Sequence, residues 1–573
     1  MTSVDTQHSA SPDAPSGGGH GAAAGTMTGA DALAEVLRRE GVEQVFFFPA
    51  SPIAEALSKA GIRLILTRQE RVAGNMADGV SRSTNGDKIG VFAVQEAAGS
   101  ENAFPGVAHS FTDSTPTLYL PGSPSRRKFG EHPTFMNLPH YGLITKYAAS
   151  PLTPEEVPYR LRQAFQALRS GRPQPAMVDM TEAVAEGVFP GPLEYRPVPR
   201  VRSAADFGAV REAADRLLRA RLPLLWAGSG VLYAGASAEL RELAELLGAP
   251  VMTTLMGKSG FNERHELSAG TGGHAKTGMA IHFLEHSDLV LAVGSSLSQS
   301  AFTPALPRGR ALIHATNDPS DLNKVNPTDV AIAADAKLFL GQLLQELRGR
   351  VGDKERTRRA EVAQTIARVK AAWRAEYESE FADDGTPINS YRMFRELWGV
   401  LDPDRTILTH ESGASRDIQC VFYESTTPRS YIGWGHSTQL GFSLGMSLGA
   451  KLANPDKVVV NVMGDGAIGM TGMDLETASR ENIPILTVIK HDSVFSGYPK
   501  DYPVSDQRYH AIRQGGDYAA LARALGWHAE RVEQPGDLRA AFGRGLRSVA
   551  DGQPALVDVI TRETTRLSTF GAH

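Results

Sequence analysis

VVVNVMGDGAIGMTGMDLETASRENIPILTVIKHDS, residues 458 to 493, reads as a strand, a glycine-flanked aspartate, a helix over MTGMDLETASRENI, and a second strand with another aspartate at its end. Mostly apolar runs of this length read as strands covered on both faces, the mark of a parallel sheet. Asp465 and Asp492 then follow the carboxyl ends of parallel strands, where open α/β sheets form ligand crevices. Two converging carboxylates repel unless a cation joins them. Mg²⁺ takes hard oxygen ligands and retains a phosphate or water beside them. Gly464 and Gly466 permit a close turn, and N–H groups at the next helix start can receive phosphate oxygens. The pattern outlines a cation and diphosphate site. An ordinary βαβ loop, with Asp465 as a cap and Asp492 exposed, fits the same spacing, and a lone GDG does not separate the two.

The same alternation recurs outward from this stretch. ADALAEVLRREG at 30 to 41 has helical apolar spacing and ends at glycine before the strand-like VEQVFFFP. GIRLILT, the helical ERVAGNMADGVSRSTNG, GVFAVQ, PTLYLPG and PAMVDM continue it, so residues 27 to 190 read as one α/β domain. The proline-bearing FPGPLEYRPVPR is a connector. LPLLWAGSG, AELRELAELLG, PVMTTL, HSDLVLAVGSS and ALIHATND make residues 201 to 348 a second such domain. The charged DKERTRRAEVAQTIARVKAAWRAEYES falls in a helical linker, 349 to 389, and RTILTHES, KVVVNVMG, PILTVIK and PALVDVIT place a third domain at 390 to 573. The expected fold class is therefore α/β, with three open, mainly parallel-sheet domains.

Composition narrows the function. With 59 basic and 64 acidic residues and a formal charge of -5, no domain-sized basic footprint for nucleic acid exists. Cys420 is the single cysteine, which rules out an intrachain disulfide and a cysteine-rich metal site. Residues 1 to 26, with GGGHGAAAG, carry little apolar surface to offset the entropy of ordering and read as a flexible leader without a secretion pattern. No apolar run suits a membrane span, so no membrane partner and a cytoplasmic location are expected.

GDGAIGMTGMDLETASRENIPILTVIKHDS resembles the cofactor signature of the thiamine-diphosphate enzymes grouped around acetolactate synthase, benzoylformate decarboxylase and benzaldehyde lyase. The resemblance extends over almost the whole chain after the leader. It implies the order pyrimidine-binding, middle and diphosphate-binding domain, with thiamine diphosphate and Mg²⁺ as cofactors. The metal would take Asp465, Asp492 and the Val494 carbonyl, and the diphosphate would lie on Gly464, Gly466 and Ala467. Where the family ends the stretch with two asparagines, His491 and Asp492 stand here, and the extra negative charge alters the metal's electrostatics.

Glu70, taken alone, reads as a helix cap or surface acid. RQERVAGNMADG resembles the segment carrying the family's activating glutamate, which makes Glu70 the carboxylate that controls the proton on the aminopyrimidine. GWGHSTQLGFSLGMSLGA resembles the loop against that ring: the Thr438 carbonyl would accept from the amino group and Leu440 would wedge the cofactor into a bent form. HESGASRD resembles the phosphate-side NEST segment, with Ser412 toward the diphosphate and Glu411 set back or at the surface, since like charges repel. EAAGSENAFPGVAHSFTDSTP matches the family's segment at Gly99, Asn102, Asp113 and Pro116, but Ala97 and Ala98 replace its first glycine and proline. FFPASP, around Phe48, resembles a substrate-side turn, with Ala50 and Ser51 toward the opening. His109, His410 and His436 are the acid-base candidates, although a structural histidine is the plainer reading of His109.

The resemblance implies decarboxylation of a 2-oxo acid, followed by release of an aldehyde or ligation to an aldehyde or second 2-oxo acid. The alternatives are an acetolactate-synthase-like synthase and a noncatalytic regulatory homologue. It also implies a homodimer or homotetramer. The WAGSG and VGSSLS loops could take a nucleotide or FAD, yet similar domains often bind none.

Overall fold

The computed structural model describes residues 26–49, 51–300, 303 and 305–568. The expected leader and Ala50 lie outside the described residues, Thr26 excepted.

Three sheets, every ladder parallel, carry the chain. The first runs Arg63–Leu66, Gln44–Phe47, Gly90–Val94, Thr117–Ser123, Ala176–Val178, Tyr147–Ala149, with Met180–Thr181 paired beyond the end of Thr117–Ser123. The second runs Ser268–Gly272, Val251–Thr254, Pro223–Ala227, Leu289–Val293, Ala311–Thr316, Val330–Ala333. The third runs Tyr431–Ile432, Thr406–His410, Val458–Gly464, Leu486–His491, Ala555–Ile560, His528–Val532. Gly90–Val94, Leu289–Val293 and Leu486–His491 are buried at every position, as strands covered by helices on both faces must be.

Each order reverses within the sheet, and ligands of open sheets bind outside the carboxyl ends at that point. In the first sheet the reversal lies between Gln44–Phe47 and Gly90–Val94, so Ser51 and the Glu96–Gly99 turn flank it. In the third it lies between Thr406–His410 and Val458–Gly464, which sets Ser412 and Asp465 on the two sides of one crevice. Sequence order along the chain does not reveal either neighbour pair.

The first and third units share a core in which Phe46, Val72 and Phe92 pack with Phe442, Leu444 and Met463. Its centre is the crossing of helix Glu70–Ser83 with helix Phe442–Ala453. Here the backbones touch: a Cβ on Gly449 would meet the Met76 carbonyl oxygen at 1.9 Å, and one on Gly79 would meet that of Met446 at 2.1 Å. Only glycine allows that approach. Helix Asp353–Ala375 does not stand free. Its Trp373 ring lies on Gly278, and its Arg358 donates to the Leu247 and Ala220 carbonyls of the middle unit.

One local reading differs from expectation. The helix after GDG begins at Asp465 itself, over Asp465–Thr471, and is interrupted by a tight turn at Gly472–Asp474 before Leu475–Arg480. Gly472 and the buried Asp474, which accepts from the Arg68 N–H, break what the apolar spacing alone reads as one helix.

Candidate active site

The diphosphate half is built by the strand ends of the third sheet. Asp465 Oδ1 accepts from the Gly466 N–H (2.9 Å) and the Gln514 amide (3.1 Å), and Oδ2 from the Ser493 N–H (2.7 Å). Burial first, and the Asp492 charge second, push the Asp465 carboxyl above its ordinary range. A divalent cation relieves both. Val494 is buried, and among the described residues none donates to its carbonyl, although Phe495 and Gln514 bond across the adjoining bridge. The set of two carboxylates and a free main-chain oxygen fits a hard divalent ion. Among the described residues no three His, Cys, Asp or Glu side chains form a metal-holding group, which a site of two carboxylates and a carbonyl does not require.

Gly466 and Ala467 lie buried at the helix start, with Gln514 and the Phe495 ring within 3 Å of where a Gly466 Cβ would stand. Gly464 is the last strand residue. Ser412 is half-buried across the crevice, and its N–H donates to Glu411. His491 lies between two carboxylates, its Nδ1 3.0 Å from Asp558 and its Nε2 4.0 Å from Asp465.

The pyrimidine half is tertiary. Glu70 opens its helix, is 5% exposed, and among the described residues nothing hydrogen-bonds or ion-pairs with its carboxylate. With neither oxygen taken by the protein, it can accept a hydrogen bond from a ligand donor. The next residue, Arg71, donates to the Leu440 carbonyl (2.5 Å), which ties the loop before helix Phe442–Ala453 to the Glu70 turn. Leu440 is half-buried against the shared core and Thr438 is exposed. The loop is gripped further back. Asp113 accepts from three consecutive N–H groups, those of Gly435 (2.8 Å), His436 (2.9 Å) and Ser437 (3.1 Å), while Arg82, paired with Asp78, donates to the Gly433 carbonyl.

The histidines fall in three different places. His109 is buried, stacks on Phe442 at 3.6 Å and lies beside Asp113, with burial holding its imidazole below the ordinary value. His410 ends its strand, packs on Gly433 and Tyr431, and is pushed down to about 3 by burial. His436 faces a crevice of about 310 Å³ where all three units meet, with Asp113 and Arg172 of the first and Met256, Ser295 and Ser296 of the middle one. That crevice opens at the WAGSG and VGSSLS loops and is crossed by Arg172, which pairs with Asp318 and Asp321.

Glu411 is not at the surface. It is buried, accepts from the N–H groups of Ser412 and Ser443, and burial pushes it up to about 7. Ala97 takes φ +52°, a region that favours glycine, so alanine holds a turn whose backbone suits the residue it replaces. Ser51 Oγ is buried without a partner among the described residues. Sequence reasoning passed over Arg71, Arg82, Gln514 and Lys490. Of these only Lys490 carried a signal, a cation inside the apolar strand that ends in Asp492.

The chain thus carries three parallel-sheet units, with two neighbouring carboxylates on the third and a buried carboxylate on the first. Family models for the N-terminal TPP binding domain, the central domain and the C-terminal TPP binding domain of thiamine pyrophosphate enzymes match residues 27–141, 210–343 and 412–559. The chain belongs to the thiamine-diphosphate enzymes and is related to acetolactate synthase large subunits.

Among its relatives is the probable acetolactate synthase large subunit of Methanococcus aeolicus, 29% identical, covering 95% of this chain and 93% of that protein. The acetolactate synthase isozyme 3 large subunit of Escherichia coli is 27% identical, covering 93% and 94%. The acetolactate synthase of Mycobacterium bovis is 29% identical, covering 93% and 88%. No helix among the described residues is long and apolar enough to cross a membrane.

Proposed function

We propose that the protein is an acetolactate-synthase-like carboligase, which decarboxylates one 2-oxo acid and joins the remaining fragment to a second carbonyl compound. The observation that carries it is full-length similarity to acetolactate synthases together with a buried, unpartnered Glu70. That similarity supports ligation over release of a free aldehyde. Glu70 argues against a noncatalytic homologue.

Bound thiamine diphosphate supplies a carbon nucleophile and an electron sink. The chain supplies the rest. Glu70 would hold the proton at a ring nitrogen, and the Thr438 carbonyl would accept from the ring amine. Leu440 would set the angle between the rings, an orientation prepaid by the Arg71 and Asp113 contacts to its loop. Asp465, Asp492 and the Val494 carbonyl would hold Mg²⁺, with Ser412, Gly464, Gly466 and Ala467 beside the diphosphate.

His436 is the histidine best placed for substrate, because it alone of the three faces an open crevice. His410 and His109 serve packing, since each is buried against an aromatic ring and held neutral. A homodimer or homotetramer fits the family.

The test is a panel of labelled 2-oxo acids with Mg²⁺ and thiamine diphosphate, beginning with pyruvate alone and pyruvate with 2-oxobutyrate. Labelled carbon dioxide and a coupled hydroxy-oxo acid are expected. A folded protein that binds neither coenzyme nor metal, and releases no carbon dioxide from any member, overturns the proposal.

A further inference from the structure

Lys490 sits where a cation is costly. It is 4% exposed, near the end of a strand that runs Leu, Thr, Val, Ile before it and ends at His491, and strand register sets it opposite Gly464, the residue before Asp465. A buried ammonium persists only when paired. Its partner is Asp492: the ammonium donates to Oδ2, and the Ser496 hydroxyl donates to that same oxygen. Among the described residues no donor reaches Asp492 Oδ1. One oxygen of the carboxylate is thus occupied from the protein side and the other is left open. Asp465 differs, with both oxygens held by uncharged N–H donors.

The formal charges of Asp465, Asp492 and Lys490 total minus one, the charge of a single carboxylate. We propose that Lys490 is a built-in counter-cation and positioning residue of the metal site. It fixes Asp492 as a one-oxygen ligand and cancels the second negative charge, so that a divalent ion and an anionic diphosphate are held together. This rests on the proposed function. Two uncompensated carboxylates would hold the ion but repel the diphosphate, whereas Lys490 without Asp492 would repel the ion.

The experiment reads metal binding, not turnover. Mn²⁺, in place of Mg²⁺, is titrated by electron paramagnetic resonance and calorimetry into the full chain with thiamine diphosphate present. The proteins are the wild type, Asp492→Asn, Lys490→Met and the double variant, each checked for fold by circular dichroism. Asp492→Asn, which leaves a buried lysine facing the ion, is expected to weaken Mn²⁺ by about tenfold or more, and the double variant to recover most of that loss. Lys490→Gln and its double variant replace the methionine pair if the latter does not fold. A folded double variant that binds Mn²⁺ no better than Asp492→Asn overturns the inference, because a merely structural lysine gives losses that add. Failure of the wild type to bind Mn²⁺ with the coenzyme overturns the proposed function instead, which keeps the two failures distinct.

Discussion

Asp465 and Ser493 are 28 residues apart and meet within one βαβ unit, whereas Arg71 and Leu440 are 369 apart and meet only where two helices cross at glycine. The first contact needs a strand, a turn and a helix start. The second needs a whole interface between the first and third units, with Asp113 and Arg82 gripping the loop from behind. On the proposed function, anchoring the coenzyme's tail would be a local property and tuning its reactive ring a tertiary one. Mutations should separate the two.

The largest effect is expected at the tertiary half. Glu70→Gln keeps size and removes proton control, so turnover of the 2-oxo acid that the panel identifies should fall by about 10²–10⁴-fold. Coenzyme and Mn²⁺ affinity, read by calorimetry, should change little, since the tail site is intact. Loss of metal binding in this variant would erase the distinction between the halves.

Gly449→Val attacks the same half through packing. Its Cβ would fall 1.9 Å from the Met76 carbonyl oxygen, so the helices must part, at a cost of about 3 kcal/mol. A lowered thermal midpoint checks this. The metal site should survive at temperatures where the protein remains folded.

A comparable effect follows from pH. Glu411 has an ordinary value of 4.5 and is raised to about 7 by burial, so the folded chain binds its proton more tightly than the unfolded one. Its stabilising contribution is complete below about pH 4.5 and is lost as pH rises through 7, a change of about 3 kcal/mol. His410 acts in the opposite sense: lowered by burial from 6.5 to about 3, it contributes fully above pH 6.5 and loses that contribution as pH falls through 3. Thermal midpoints measured from pH 4 to 8 should therefore fall less steeply toward pH 8 in Glu411→Gln than in the wild type. Equal slopes would place Glu411 in contact with water.

The smallest effect belongs to the local half. Chelating the metal and removing thiamine diphosphate should lower stability by the linkage term, about 2.7 kcal/mol from a ligand held at a hundred times its dissociation constant. A shift of thermal midpoint that needs both ligands together would sharpen the assignment of Asp465, Asp492 and Val494 to one joint site.

The legibility of the sequence follows the same line. The three sheets could be read because buried parallel strands are continuous apolar runs, and the two aspartates because they follow such runs directly. Glu70 could be placed at a helix start, but its burial without a partner among the described residues could not be read, since burial depends on how distant segments pack. Glu411 shows the limit most clearly. Repulsion from phosphate placed it back from the ligand or at the surface; the structure overturns the surface placement and buries it on the N–H of Ser443, a contact between segments that no local pattern links. His410 and His436 could not be told apart in the sequence, and what packs on them separates them: the first is buried against Gly433 and Tyr431, the second lines a crevice.

Local chain chemistry alone determined the alternation of strand and helix, the turn at GDG, the single cysteine and the presence of Lys490 two residues before Asp492. Hydrophobic periodicity and backbone freedom act over a few residues, so they are written in order. Tertiary structure decided which strand ends adjoin, that Arg71 beside Glu70 holds the Leu440 loop, and which oxygen of Asp492 is taken. Those follow from close packing between distant segments, where glycine against a carbonyl or an ammonium against a carboxylate has meaning only once both are in place.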